Sequence, residues 1–338
     1  MSHHTVTLIA GDGIGDEVTK ACIRAIAATS VQIDWDIQAA GLQAVHECGV
    51  ALPSATLDSI KKNGVALKGP TTTPIATGHK SANVLMRQAL DLYACIRPAK
   101  SVPGIKTRYD NVDLIIVREN TEGLYSGQEV QITPDTVASL KIVTRKASEK
   151  IAHSAFALAR KLGRKRITVV HKANILKMGD GLFLHTAETV AKDYPEIKLD
   201  DMIIDALCMK LVTNPCQFDM LLLENLYGDI VSDLCAGLVG GLGVVPGANI
   251  GDHAAVFEAV HGSAPDIADQ NKANPTAMMK SAAMMLEHLK ETRAAHLLSN
   301  AIDTVLLQGQ VRTADLGGNA TTEQFTNAVI EQIYSIKT

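Results

Sequence analysis

Residues 5–21, TVTLIAGDGIGDEVTKA, decide how the rest of the chain is read. An apolar run with Val6, Leu8 and Ile9 meets three glycines, Gly11, Gly13 and Gly15, and a helix-like segment follows. Strand, glycine turn, helix is the order in which helix N-terminal amides can hold a phosphate. The spacing, however, is GxGxG rather than GxGxxG, and Asp12, Asp16 and Glu17 stand among the glycines. Three carboxylates around a pyrophosphate would repel it, because like charges in a partly dry site cost far more than in water. The chemistry favours a tight glycine turn with Asp16 and Glu17 near a helix N-terminus, and a lone glycine motif is a weak signal in any case. A cofactor would have to sit elsewhere.

At 338 residues the chain suggests two domains or one large α/β unit. Its 46% hydrophobic and 20% charged residues are ordinary for a soluble enzyme. A formal charge of −4 offers no general field for nucleic acid or an anionic membrane. The basic run RKLGRKR from Arg160 reads as the solvated end of a helix, and no apolar stretch is long enough to span a bilayer. The six cysteines (Cys22, Cys48, Cys95, Cys208, Cys216, Cys235) form no CxxC pair and have no zinc-ligand spacing with histidine. Most sit among apolar neighbours, which predicts buried free thiols in a reducing compartment. With neither a signal peptide nor an Arg-rich leader in view, the expected location is cytoplasmic, although a processed organelle protein would read the same.

Further strand-like runs are DLIIVREN from Asp113, RITVVHKAN from Arg166, DMIIDAL from Asp201 and DMLLLEN from Asp219. Helical periodicity marks EVTKACIRAIAAT, KASEKIAHSAFALARKL and three segments in the last hundred residues. Alternating strand and helix predicts an α/β fold with strands paired in parallel. Met278, Met279, Met284 and Met285 read as core filler. With no repeat and no linker, the two domains are expected to interleave.

Arg118 follows the apolar run 114–117, at the strand end where α/β sheets bind ligands. Asn83 and Arg87 are four apart on one helix face, and Arg97 follows soon after. Three converging guanidinium groups would suit a substrate with several carboxylates. Asp229 and Asp233 are also four apart, beside Ile230, Val231 and Leu234. Such a pair is expensive to bury without a cation, and oxygen ligands with vacancies point to Mg²⁺ or Mn²⁺. A helix-capping aspartate plus a solvated one fits the spacing equally well. Asp205, at the end of an apolar run, offers a third ligand. Lys172, after ITVVH, stands where an apolar wall would lower its pKa, and Tyr125 after RENTEG could deliver a proton to a carbanion.

In this order, with the flanking words GDGIGDEV, DLYACIRP, RENTEGLYSG, VHKANI, NLYGDIVSDLCAG, GANIG, FEAVHGSAPDIA and ANPTAM, the sequence resembles the isocitrate and 3-isopropylmalate dehydrogenase family of metal-dependent β-decarboxylating dehydrogenases. It is most similar to the NAD-using, isocitrate-oxidising members. The resemblance covers nearly the whole chain.

The resemblance implies two interleaved α/β domains around a cleft, and not a Rossmann fold. Residues 1–93 and 240–338 would form the large cofactor-binding domain, and residues 94–239 the small domain with the dimer interface and clasp. It implies that Arg87, Arg97 and Arg118 hold substrate carboxylates, with Ser81 and Asn83 at the end that varies between members. Asp229 and Asp233, with Asp205 from the neighbouring protomer, would bind Mg²⁺ or Mn²⁺. Lys172, also from the partner, would assist Asp229 in deprotonation, and Tyr125 would protonate the enol. The cofactor would lie against residues 261–275, with Thr73, Glu258, His261, Gly262, Ala264, Asp266, Ile267 and Asn274 as its contacts. NADP-using relatives carry a Lys–Tyr pair where this chain has Asp266 and Ile267; a carboxylate accepts bonds from ribose hydroxyls and repels a phosphate, so NAD is expected. Where isopropylmalate enzymes present an apolar turn, Ser81 and Asn83 are polar and suit the γ-carboxylate of isocitrate. Homoisocitrate or 3-isopropylmalate dehydrogenase activity, or a regulatory role within a hetero-oligomer, are the alternatives. The retained Tyr125, Lys172, Asp205, Asp229 and Asp233 favour a catalytic homodimer acting on isocitrate, with no nucleic-acid or membrane partner.

Overall fold

The computed structural model describes residues 3–72 and 81–337. In chain order its first part runs β1 (His3–Ile9), α1 (Gly15–Ala28), β2 (Gln32–Gln38), α2 (Leu42–Cys48), α3 (Ser54–Asn63), β3 (Val65–Lys68), α4 (Ala82–Ala89), β4 (Ala94–Lys100) and β5 (Asp113–Glu119). A ribbon of β6 (Glu129–Thr133) and β7 (Thr136–Ser139) leads into α5 (Arg145–Leu162), β8 (Arg166–His171), α6 (Gly179–Ala191), β9 (Lys198–Ile203), α7 (Ile204–Thr213), β10 (Met220–Leu223) and α8 (Asn225–Val239). The chain ends in β11 (Pro246–Ile250), β12 (Ala255–Ala259), α9 (Thr276–His288), α10 (Thr292–Gln308) and α11 (Thr322–Lys337).

Ten strands form one sheet in the order β2-β1-β3-β12-β11-β4-β5-β10-β8-β9. The two flanks are parallel, as alternating strands and helices require. The centre departs from expectation: β12–β11, β11–β4 and β4–β5 are antiparallel. The reason is connection length, since only four residues join β11 to β12 and no helix lies between β4 and β5, whereas a parallel pair needs a crossover. The run DMIIDAL also splits, its strand ending at Ile203 and α7 starting at Ile204.

Helices α1, α9, α10 and α11 pack through Val18, Cys22, Met278, Met279, Leu298, Ile302, Phe325 and Val329. Three of the four methionines read as filler are fully buried and Met284 is partly so. The cysteines follow the prediction only in part. All six are free, but Cys48 and Cys216 are exposed and Cys208 is half-buried, because they sit at helix ends or on the outer face of α7. Among the described residues no helix is long and apolar enough to cross a membrane.

Register positions the chemistry. Across β4–β5, Cys95 lies opposite Arg118 and Arg97 opposite Ile116, so both arginines point from one face. Leu223 pairs with Arg118 across β10–β5, so Asn225 at the start of α8 emerges beside that arginine. Glu258 pairs with Lys68 across β12–β3.

Candidate active site

Three amides of the glycine turn are spent within the protein, which argues against a phosphate cradle: Asp12 donates to Pro70 O at 2.7 Å, Ile14 to Ser263 O at 2.8 Å and Gly15 to Asp12 O at 2.9 Å. Gly13, at φ +58°, approaches Ser263 so closely that a Cβ would lie 2.0 Å from its carbonyl oxygen. The Asp12 carboxylate accepts from the amides of Leu42, Gln43 and Thr72, which ties the start of α2 to the strand-end loop after β3.

Four charged side chains meet at the C-terminal end of β5. Arg118 is 1% exposed; its Nε and Nη2 donate to Asn225 Oδ1 at 3.1 and 2.7 Å, and its Nη1 donates to Asp229. Arg97 Nη1 donates to Ser232 Oγ at 2.6 Å and lies 3.4 Å from both Asp229 and Asp233. Tyr125, in a short 3-10 turn, donates its hydroxyl to the other oxygen of Asp229, and the Arg118 guanidinium sits 5.1 Å over its ring. Asp229 and Asp233 project from successive turns of α8, well inside the helix, so neither is an N-cap.

These contacts set the proton affinities. Burial pushes Asp229 up, but Arg118, Tyr125 and Arg97 outweigh it and hold the carboxyl below its ordinary range. Asp233, exposed overall, is raised by the partial burial of its carboxyl and by Asp229, only partly offset by Arg97. Burial and the bond to Asp229 raise Tyr125, so its hydroxyl remains a proton donor at neutral pH.

A second cluster forms the cleft floor. Glu258, buried, pairs with Lys68 at 2.6 Å and Arg87 at 3.2 Å and accepts from Asn249 at 2.7 Å. Burial opposes its charge, yet Lys68 and Arg87 drive the carboxyl far below its ordinary value. Arg87 and Asn83 lie on α4; Asn83 Oδ1 accepts from Thr71 Oγ1 at 3.0 Å. Ser81 occupies the N-cap position of α4 without a side-chain capping bond. Asn83, Arg87, Arg97, Lys68, Glu258 and His261 line one cavity.

Lys172 and Asp205 are placed elsewhere. They form an ion pair with each other, Lys172 after β8 and Asp205 in the first turn of α7. Lys172 therefore faces a carboxylate rather than an apolar wall, and Asp205 is held low by that lysine. Among the described residues no bond joins this pair to Asp229, and no three acidic, histidine or cysteine side chains form a metal cluster within one chain.

Segment 261–275 has no regular structure beyond a 3-10 turn at Pro265–Ile267. His261 Nε2 is buried with no hydrogen-bond partner among the described residues, and burial keeps the imidazole neutral. Gly262 and Asp266 are exposed, Ile267 is half-buried, and Ala264 takes φ +37°. Asn274 is already engaged, its Nδ2 donating to Asp315 at 2.9 Å and its Oδ1 accepting from Thr276 N at 3.0 Å. Thr73 lies outside the described residues.

Sequence reasoning missed Lys68, Ser232, Asn225 and Asn249. Lys68 carried the same signal as Arg118, a cation closing an apolar strand, but on a run of only three residues (VAL). Asn225 stands two residues after the apolar run 220–223, with Glu224 between.

The profile of the family described as isocitrate/isopropylmalate dehydrogenase matches residues 5–331. The chain is 52% identical over 328 residues to the mitochondrial NAD isocitrate dehydrogenase catalytic subunit 6 of Arabidopsis thaliana, covering 97% of this chain and 88% of that one. It is 49% identical to a regulatory subunit of the mitochondrial NAD isocitrate dehydrogenase of Dictyostelium discoideum, covering 97% and 91%. The crystal structure of isocitrate dehydrogenase from Methylococcus capsulatus superposes with a TM-score of 0.95 at 51% identity, covering 98% of this chain and 99% of that one. A profile reaching from the first strand to the last helix, and a backbone shared almost end to end at half identity, place the chain in the isocitrate/isopropylmalate dehydrogenase family.

Proposed function

We propose that this chain oxidises and decarboxylates isocitrate to 2-oxoglutarate and CO₂ with NAD as hydride acceptor. The observation that carries the reading is the convergence of Arg97, Arg118, Asp229 and Tyr125 at one strand end. It unites carboxylate binders, a hard oxygen ligand and a protonated phenol, as removal and return of protons around a decarboxylation require. Ser81 and Asn83 supply polar groups that an alkyl substituent would leave unpaired.

The donor set fits a divalent metal in kind. Asp229 is held anionic, Asp233 is exposed one turn away, and two carboxylates leave coordination positions for substrate oxygens and a further ligand. A hard cation there would acidify the substrate hydroxyl and favour the enolate that CO₂ loss leaves. Asp229, held low, is a weak base on its own, so Lys172 of the partner subunit would assist it in removing the hydroxyl proton, once that ammonium has given up its own proton. Tyr125 gives a proton back to carbon, and the hydride goes to NAD, so no net proton is consumed. Arg87, Arg97 and Arg118 hold the substrate carboxylates throughout.

NAD also fits. The unpartnered His261 Nε2 and the open Gly262 offer a place for the cofactor, and the exposed Asp266 carboxylate suits ribose hydroxyls. Thr73, Glu258, Ala264, Ile267 and Asn274 complete the proposed contacts, although Glu258 and Asn274 already serve internal partners. Replacing Asp266 with lysine and Ile267 with tyrosine should move preference from NAD toward NADP; unchanged kcat/KM for both cofactors would remove this assignment.

The same reading divides the chain into residues 1–93 with 240–338, and 94–239. The strand order supports it: β2-β1-β3-β12-β11 comes wholly from the first set and β4-β5-β10-β8-β9 from the second. A homodimer with shared sites is supported by the exposed apolar side chains of the ribbon, Val130, Ile132 and Val137, with Met209 on α7 and Ile230 on α8. It would also bring Lys172 and Asp205 of the partner subunit to Asp229. A cytoplasmic location belongs to the proposal as well; the Arabidopsis and Dictyostelium relatives are mitochondrial, and free thiols suit either compartment.

The purified chain, assayed alone with isocitrate, homoisocitrate and 3-isopropylmalate, each with NAD and NADP and with Mg²⁺ or Mn²⁺, tests the function. Isocitrate with NAD should give the highest kcat/KM. Absence of turnover by the chain alone would favour a regulatory role. A second test uses Gly228, whose added Cβ would lie 2.5 Å from Arg118 Cγ. Alanine normally improves a helix interior by ~1 kcal/mol, yet Gly228→Ala should raise KM for isocitrate about tenfold by pushing Arg118 aside. An unchanged KM would mean that Arg118 does not bind substrate.

A further inference from the structure

The acidic residues of the opening motif have no role in the chemistry above, yet Glu17 is among the most heavily bonded carboxylates in the protein. It stands in the first turn of α1, half-buried. Its Oε2 accepts from Asn271 N at 3.1 Å and its Oε1 from Ala273 N at 2.9 Å, and the Thr322 hydroxyl lies against the same oxygen. Thr322 N donates to Asn271 O at 3.1 Å and Glu323 N to Asn271 Oδ1 at 3.0 Å, so the start of α11 joins the clamp. At the other end of the segment, Ile14 of the same motif holds Ser263 O.

The segment needs holding. Between Ala264 and Asn271, three non-glycine residues adopt left-handed backbone conformations: Ala264 at φ +37°, Asp269 at +59° and Asn271 at +55°. Such conformations cost free energy and persist where the surroundings impose them. Beyond the 3-10 turn and short internal bonds such as Gln270 Nε2 to Asp266 O at 2.8 Å, the segment has no helix or strand of its own, and bonds from outside complete its shape. Glu17 supplies charge-assisted ones at the point where the chain turns toward Asn274.

We infer that Glu17 is a positioning residue for cofactor binding: through the amides of Asn271 and Ala273 it fixes the shape of segment 261–275. The inference rests on the reading of that segment as the NAD site. It also explains why acids stand in a motif beside a cofactor cleft. The Glu17 carboxylate faces protein amides and the Asp12 carboxylate faces those of Leu42, Gln43 and Thr72, so these charges are spent within the protein.

The test compares wild type with Glu17→Gln and Thr322→Val. Glutamine keeps the volume but turns an NH₂ toward backbone N–H groups; valine removes the hydroxyl proton that Glu17 shares with Ala273 O and leaves Glu17 in place. NADH binding is measured by titration without substrate, and KM for NAD and for isocitrate separately. Glu17→Gln should weaken NADH and raise KM for NAD about tenfold, as loss of roughly one net hydrogen bond implies. KM for isocitrate and kcat at saturating NAD should hold within about twofold, and Thr322→Val should act in the same direction but less. Exchange of the Asn271 and Ala273 amides should quicken in the Glu17 variant. Unchanged NADH binding in either folded variant, or equal weakening of NAD and isocitrate, overturns the inference; the second outcome would make Glu17 a general structural residue. The Asp266→Lys, Ile267→Tyr protein in the same titration separates the two readings. If it leaves NADH and NADPH binding unaltered, the cofactor assignment fails; if it shifts them while Glu17→Gln does nothing, only the role of Glu17 fails.

Discussion

Ser81→Glu should abolish isocitrate turnover while the protein still folds and still binds NADH. Ser81 precedes α4, and Asn83 and Arg87 follow on that helix at the cleft. A glutamate there would bring a carboxylate against the substrate's γ-carboxylate. At an effective dielectric of about 20, unit charges 4 Å apart repel by ~4 kcal/mol. That is roughly a thousandfold in affinity, since ~1.4 kcal/mol is tenfold. Folding should survive, because an acid at a helix N-terminus is electrostatically favourable and Ser81 makes no side-chain capping bond that would be lost. Ser81→Ala is the control and should cost far less, one hydrogen bond that water can replace. Isocitrate kinetics and NADH titration on the three proteins decide the matter. Wild-type turnover by Ser81→Glu would show that this residue does not face the substrate.

The sequence disclosed its site unevenly, and the reasons are physical. Arg118 was legible because a charged residue closing a long apolar run must sit at a strand end. Asp229 and Asp233 were legible as a pair because helix spacing is local. The antiparallel centre of the sheet was not, because β11 and β12 are only five residues each, β11 begins with proline and glycine, and which strands pair is a long-range property. The glycine turn was read correctly as a turn, and Glu17 correctly as an acid at a helix start. Its partners were out of reach, since Asn271 lies 254 residues away. Lys172 shows the converse limit: a lysine after an apolar strand looked desolvated, but the next crossover delivers Asp205 to it.

Arg118→Met should produce the other large loss, and one whose pH dependence identifies its cause. The side chain donates twice to Asn225 and once to Asp229, and it is proposed to hold a substrate carboxylate. Hydrogen bonds to charged groups contribute ~1.5–3 kcal/mol each, so losing two to a carboxylate implies ~3–6 kcal/mol. In kcat/KM that is on the order of 10²–10⁴-fold. Lysine at this position keeps the charge but not the fork, so Arg118→Lys should recover only part. Stability should fall as well, since Asn225 Oδ1 would lose both guanidinium donors in a buried site, at ~1–3 kcal/mol. The sign of the pH effect follows from Asp229. Its carboxyl is lower in the folded protein than in the unfolded chain, so it contributes stability above its unfolded pKa and loses that contribution as pH falls through the folded value. Removing Arg118 takes away the main cause of the lowering. The stability difference between Arg118→Met and wild type should therefore be largest near neutral pH and shrink in acid, and the acid limb of kcat should move upward. Denaturant unfolding between neutral and acidic pH and a pH–rate profile test both. A kcat/KM within about tenfold of wild type, or a stability difference that does not narrow in acid, would show that Asp229 does not depend on this guanidinium for its charge.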